Sequence, residues 1–167
     1  MIKLDAIIAI DPDVDKSGVA YLNCATREMK LHNLAFPDLL DYIKYIQRQA
    51  EVTGSTYKFV IEAGWLIKTH WHVKQTDSRS VCAAKGNQAG RNHETGRKIV
   101  EMMVHWQIPH ELIRPLHKCW KGPDRKISHE ELVQFINIKG RTNQETRDAA
   151  LIAWIFAGFS VKMKQKQ

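Results

Sequence analysis

Apolar positions alternate and then run together across residues 3–11, through Ala6-Ile7-Ile8-Ala9-Ile10, the pattern of a strand entering a core and stopping at the Asp11-Pro12 breaker. A turn over residues 14–17 leads to two more short strands, residues 18–22 and 29–34, joined by the polar Ala25-Thr26-Arg27-Glu28 link. Together the three predict an antiparallel meander. Pro37 suits the first turn of a helix in which Leu39, Leu40, Ile43, Ile46 and Ala50 recur at helical spacing until Gly54. Another strand follows over residues 57–62, apolar almost to the carboxylate at its end.

Periodicity then fades over residues 64–90, where Trp65, Lys68, His70, Trp71, His72, Lys74, Arg79 and Lys85 are strung among polar residues. A loop of this length is expected to be functional or partly helical. Helical spacing returns over residues 94–107 with Ile99, Met102, Met103 and Trp106, and residues 110–114 read as a short strand ended by Pro115. A basic loop over residues 118–126 precedes Ser128-His129-Glu130-Glu131, a helix start with a capping-box pattern. After Gly140 the last helix is expected to begin at Thr142 and to run through Ala149, Ile152, Ala153 and Phe156. This order predicts an α/β fold in one domain over residues 1–160: a mixed five-stranded sheet, three antiparallel strands and then parallel crossovers, flanked by helices. Residues 161–167, with Lys162, Lys164 and Lys166, read as a basic tail.

Composition narrows the class. At 167 residues the chain has the size at which a single domain buries roughly 70% of its unfolded surface, and 44% apolar with 26% charged residues is an ordinary globular mix. The longest apolar run, residues 149–159, is shorter than the ~20 residues that cross a bilayer, so no membrane span is expected. The first apolar stretch lacks a long h-region and a small-residue cleavage site, so export is not expected either. Cys24, Cys82 and Cys119 form no CxxC pair, which argues against a disulfide framework or a cysteine zinc site and fits a cytoplasmic location. A net charge of +7 favours a polyanionic partner such as nucleic acid, although a solvated basic surface carries such charge as well.

Four carboxylates are candidates for chemistry. Asp11 and Glu62 each close a predicted strand, and if those strands are neighbours both emerge at one end of the sheet. Glu145 and Asp148 lie three residues apart on the last helix and can share a face. Converging acids need a cation, and an all-oxygen set suits magnesium or manganese. Other readings stay open: Asp11 before Pro12 as a turn residue, Glu145 as the partner of Thr142 in a capping box, and Asp148 as a surface acid beside Arg147. Glu62 is the hardest to explain structurally, because an acid directly after Phe59-Val60-Ile61 needs a partner to offset desolvation.

These residues resemble a known superfamily. Ala9-Ile10-Asp11-Pro12 through Ser17-Gly18-Val19-Ala20, then Val60-Ile61-Glu62, then Glu145-x-x-Asp148-Ala149-Ala150-x-x-Ala153 is similar in order to the RuvC branch of the RNase H-like nucleases. Gly90-Arg91-Asn92-x-x-x-Gly96 and the stretch from Ile113-Arg114-Pro115 through Lys118 to Lys126 add to the resemblance. It implies an RNase H-like fold and a homodimer that cleaves four-way DNA junctions. Asp11, Glu62, Glu145 and Asp148 then hold two Mg2+ or Mn2+ ions, one activating water and the other stabilising the leaving 3′-oxygen. The chain departs from the family pattern at Asp13, where a glycine is usual, and at Glu145, where aspartate is more frequent. Asp13 is expected to add negative charge near the metal.

The remaining candidates concern how DNA is held. Trp65, Trp71 and His70, interleaved with Lys68 and Lys74, could stack on unpaired bases and meet phosphates, or the tryptophans could pack the loop onto the body. His70-x-His72 alone is a poor zinc signal. Arg91, Arg97, Lys118, Lys121, Arg125 and Lys126 are candidate phosphate contacts. Cleavage of RNA–DNA hybrid by the same chemistry, and a non-catalytic nucleic-acid-binding module, are the alternative functions. An actin-like ATPase ranks last, because the chain lacks a phosphate-binding glycine loop.

Overall fold

The computed structural model describes residues 4–67 and 74–161. Five strands, β1 (Ala6–Asp11), β2 (Ser17–Asn23), β3 (Met29–Leu34), β4 (Tyr57–Glu62) and β5 (His110–Ile113), form one sheet in the order β3-β2-β1-β4-β5. The β1–β2 and β2–β3 pairs are antiparallel, and β1–β4 and β4–β5 are parallel. The mixed five-stranded sheet expected from the sequence, three antiparallel strands and then parallel crossovers, is therefore present, and β1 and β4 are neighbours in it. β1 stands at its centre, and both faces of the sheet are covered, which is why its sequence is a continuous apolar run.

Alternate residues feed two cores. Ile7, Ala9, Ala20, Leu22 and Val60 pack with Ala149, Ala150, Ile152 and Ala153 of α4 (Gln144–Phe156) and with Ile127, Leu132 and Ile136 before it. On the other face Ile8, Ile10, Val19, Phe59 and Ile61 pack with Leu39, Ile43 and Ile46 of α1 (Phe36–Thr53) and with Ile99 and Met103 of α2 (Arg79–His105). Pro37 lies in the first turn of α1, and Gly54 closes it in the left-handed region at φ 69°. The short α3 (His129–Leu132) begins with the expected Ser128/Glu131 capping box.

Two elements differ from the sequence expectation. α2 starts at Arg79, not near residue 94, and absorbs the second half of the expected loop. Its buried residues are Gly96, Ile99 and Met103, so its first half has no apolar stripe to read. The last helix is capped by Asn143, whose side chain accepts from Thr146 N at 2.9 Å while Thr146 Oγ1 accepts from Asn143 N at 3.2 Å. The box is thus Asn143/Thr146, one residue later than Thr142/Glu145. Gly18 explains how closely α4 docks. A Cβ there would run into the Glu145 carbonyl, so only glycine lets the first turn of α4 lie on β2. Among the described residues no helix is long and apolar enough to cross a membrane.

Candidate active site

β1 and β4 run in register from Ala6 opposite Tyr57 to Ile10 opposite Ile61, and Asp11 and Glu62 are the next residues along and the last of their strands. Ala9 and Val60, two positions earlier, face α4, so strand alternation aims both carboxylates to that side. There α4 presents Glu145 and Asp148. The four carboxylates line one cavity of about 300 Å³, together with Lys118, Arg125 and Lys126 from the basic loop and His93 and Asn92 from α2.

Asp148 has one partner on each oxygen. Its Oδ2 accepts from Lys126 Nζ at 2.7 Å and its Oδ1 from Gln144 Nε2 at 2.8 Å. Arg147 turns away from it, donating to the carbonyls of Ile127 and Thr142, the Thr142 hydroxyl and Gln144 Oε1. Glu145, relieved of the capping role by Asn143, lines the cavity. Lys126 is brought in by a loop that Glu131 anchors. The buried Glu131 carboxylate accepts from the backbone N–H of Lys121 at 3.0 Å and of Ser128 at 3.1 Å.

Electrostatically the site is short of positive charge. Burial holds the Asp11 carboxyl well above the usual carboxylate range, reinforced by the charges of Glu62 and Asp148, with Lys126 opposing. Burial, then Asp148, pushes Glu62 up to about 7, with Lys126, Lys118 and a backbone hydrogen bond at Leu116 pulling the other way. Lys126 itself is raised by the acids it faces, against the effect of its own burial. Among the described residues no three His, Cys, Asp or Glu side chains are gathered closely enough to hold a metal as they stand. The donor set nevertheless fits a hard divalent cation: every acid offers oxygen donors, and burial, reinforced by neighbouring carboxylates, disfavours the charged forms of Asp11 and Glu62, which a cation would restore.

The other sequence candidates separate. Trp65 lays its ring on Gly96 of α2, with the Arg97 guanidinium 5.8 Å from the ring centroid, and it borders the cavity. Arg97 is exposed and pairs with Glu94 at 3.7 Å. Arg91, Lys121 and Lys74 are exposed and border no part of the cavity. Lys68, His70 and Trp71, with His72, lie outside the described residues. Asp13 does border the cavity, but its Oδ2 accepts from Asn92 Nδ2 at 2.9 Å and its Oδ1 from Asp15 N at 2.9 Å. Its carboxylate is thus held by a side-chain amide and a backbone N–H. His93 was not foreseen. A Cβ on Gly64 would sit 2.8 Å from its Nε2, so a glycine two residues after Glu62 admits the ring. The spacing Ala89, Asn92, His93, Gly96 marks one helical face and was the available signal.

No protein-family model and no curated protein matches this sequence. Among solved structures the chain is similar to T. thermophilus RuvC in complex with Holliday junction substrate, with a TM-score of 0.50 and 10% identity over 89% of this chain and 90% of that one. The chain has the RuvC fold. At 10% identity the likeness establishes the architecture, and the chemistry rests on the residues described above.

Proposed function

We propose that the chain is a metal-dependent endonuclease that hydrolyses phosphodiester bonds in branched DNA, in the manner of a junction resolvase. The observation that carries this reading is the placement of Asp11 and Glu62 at adjacent parallel strand ends, facing Asp148 and Glu145 across one cavity, with burial and neighbouring carboxylates disfavouring the charged forms of Asp11 and Glu62. Asp11, Glu62 and Asp148, with Glu145, would hold one or two Mg2+ or Mn2+ ions. When bound, such ions supply Lewis-acid stabilisation of the phosphate and an activated water. Lys126 and Lys118 border the same cavity and offer ammonium groups to a phosphate that enters it, and exposed Arg125 borders it too. More remote cations, Arg91, Arg97, Lys121 and Lys74, with Lys68 in the same reading, would steer the duplex arms. Cutting two strands of a junction needs two sites, so the reading includes a homodimer of the single domain over residues 1–160.

The test is cleavage of labelled four-way junction, linear duplex, single strand and RNA–DNA hybrid with Mg2+, Mn2+ or EDTA, comparing wild type with Asp148→Asn. Metal-dependent paired nicks in the junction, lost in the variant, are the expected result. Cutting confined to the hybrid moves the assignment to an RNase H-like activity. Binding of every substrate with no cutting under either metal leaves a nucleic-acid-binding module.

A further inference from the structure

One turn of α2 touches the exits of both acid-bearing strands. At the β1 exit, Asn92 bridges two groups of the Pro12–Ser17 turn: its Nδ2 donates to Asp13 Oδ2 at 2.9 Å, and its Oδ1 accepts from Val14 N at 3.1 Å. That turn is closed internally by Asp15 N donating to Asp13 Oδ1 at 2.9 Å and by Asp13 N donating to Ser17 Oγ at 3.1 Å. At the β4 exit, the neighbouring His93 rests on Gly64, and Gly96 receives the Trp65 ring, with Pro12 of the β1 exit also close to Gly96. Asp11 and Glu62 are the residues immediately upstream of these two exits.

We infer that Asn92 is a positioning residue. Its side-chain amide locks the Asp13 turn to α2 and thereby fixes the spacing between the Asp11 and Glu62 carboxylates that a divalent cation requires. The inference rests on the proposed metal-dependent reading and deepens it. It also gives Asp13 a role: the acid is the acceptor that the Asn92 amide needs, and a glycine at that position would leave the amide donor without it. Geometry of this kind matters because a misplacement of about 1 Å at a catalytic group can cost on the order of a hundredfold in rate.

A reciprocal exchange tests the clasp. Asp13→Asn cannot accept from both Asn92 Nδ2 and Asp15 N–H: with its oxygen on Asp15 two N–H donors meet at Asn92, and flipping either amide only moves the conflict, to Val14 N–H or to Asp15 N–H. Asn92→Asp sets two carboxylates face to face. In the double variant the amide at position 13 donates to the carboxylate at position 92, which still accepts from Val14 N, so both hydrogen bonds and the net charge are restored. The full chain is used, with three readouts: single-turnover junction cleavage against Mg2+ concentration, Mn2+ affinity by calorimetry without DNA, and junction binding in EDTA. Each single variant is expected to lose about tenfold or more in rate, to bind Mn2+ severalfold more weakly, and to keep its junction affinity, with the double variant recovering rate and Mn2+ binding together. A merely electrostatic effect would move the two single variants in opposite directions, since one removes a negative charge and the other adds one. A merely structural staple would lower melting temperature and leave rate and Mn2+ affinity alone.

Single variants that match wild type in both rate and Mn2+ affinity, or a folded double variant no better than either single, would overturn the inference. Should Asn92→Asp melt below the assay temperature, Asn92→Ala takes its place as the single variant. If wild type binds Mn2+ and cuts nothing, the nuclease reading fails while the Mn2+ comparison still decides the clasp. If wild type binds no Mn2+, both fall.

Discussion

Lys126 Nζ stands 2.7 Å from Asp148 Oδ2, with about a third of the lysine side chain and 15% of the aspartate exposed, so the acid cavity carries a cation of its own. That ammonium also faces Asp11 and Glu62. In Lys126→Met the carboxylates lose this counter-charge, and without divalent cations the protein is expected to be less stable by about 1–3 kcal/mol at pH 8, the partial exposure tempering the larger cost of stranding a fully buried partner. Mg2+ should then raise the melting temperature of the variant more than that of wild type. Equal melting curves with and without Mg2+ would show that Lys126 does not balance the cluster.

The acid cluster also sets a pH dependence. The Glu62 carboxyl has an ordinary value of 4.5 and is pushed up to about 7 in the fold. A raised carboxyl contributes stability that is fully present below its unfolded value and is lost as pH rises through the folded one. Metal-free protein should therefore lose this contribution between about pH 4.5 and about pH 7, and Glu62→Gln should flatten that part of the curve. Chemical denaturation at a series of pH values reads it directly. Mn2+ affinity should rise across the upper part of the window, as protons leave the carboxylates.

Gly18 is a close-approach position opposite Asp11 in the β1–β2 ladder. In Gly18→Ala the new methyl meets the Glu145 carbonyl, and the first turn of α4 must shift off β2. Overpacking of this kind costs roughly 1–3 kcal/mol, and here it also displaces Glu145 and Asp148. Urea denaturation checks the stability loss. Cleavage should fall further than the fraction of unfolded protein accounts for.

Because Asn143 rather than Glu145 caps α4, stability and activity should separate between them. Asn143→Ala is expected to cost about 1 kcal/mol. Glu145→Gln should leave stability unchanged or slightly higher, since it removes a charge that disfavours ionised Asp11, and should lower the rate of cleavage. A large stability loss in Glu145→Gln would return that residue to a structural role.

The sheet was legible because its information is local. The run of residues 6–10, buried on both faces, and the helical recurrence in α1 each report their own packing. The carboxylates at the ends of β1 and β4 were visible as polar residues terminating apolar runs. What was not legible depends on distant partners. The first half of α2 covers little core, so its helicity left no stripe. Thr142 and Asn143 are adjacent residues that can each cap a helix, but in the fold the Thr142 hydroxyl is engaged by His129 and Arg147 and Asn143 caps α4. Asn92 is a plain polar residue until the β1 exit is brought to it across 79 positions of sequence separation from Asp13.

The parallel register of β1 and β4 also acts as an assembly check. A slip of one residue in either strand would turn its carboxylate toward the α1 and α2 side and drive its isoleucines toward the acid cavity. Misregistered chains would be selected against by instability before they could misplace the acids. Any population that survives folding should therefore have Asp11 and Glu62 on the same side of the sheet in every molecule, and fractional activity in a preparation would trace to the turns and to α2 and α4, which set their finer spacing, not to strand register.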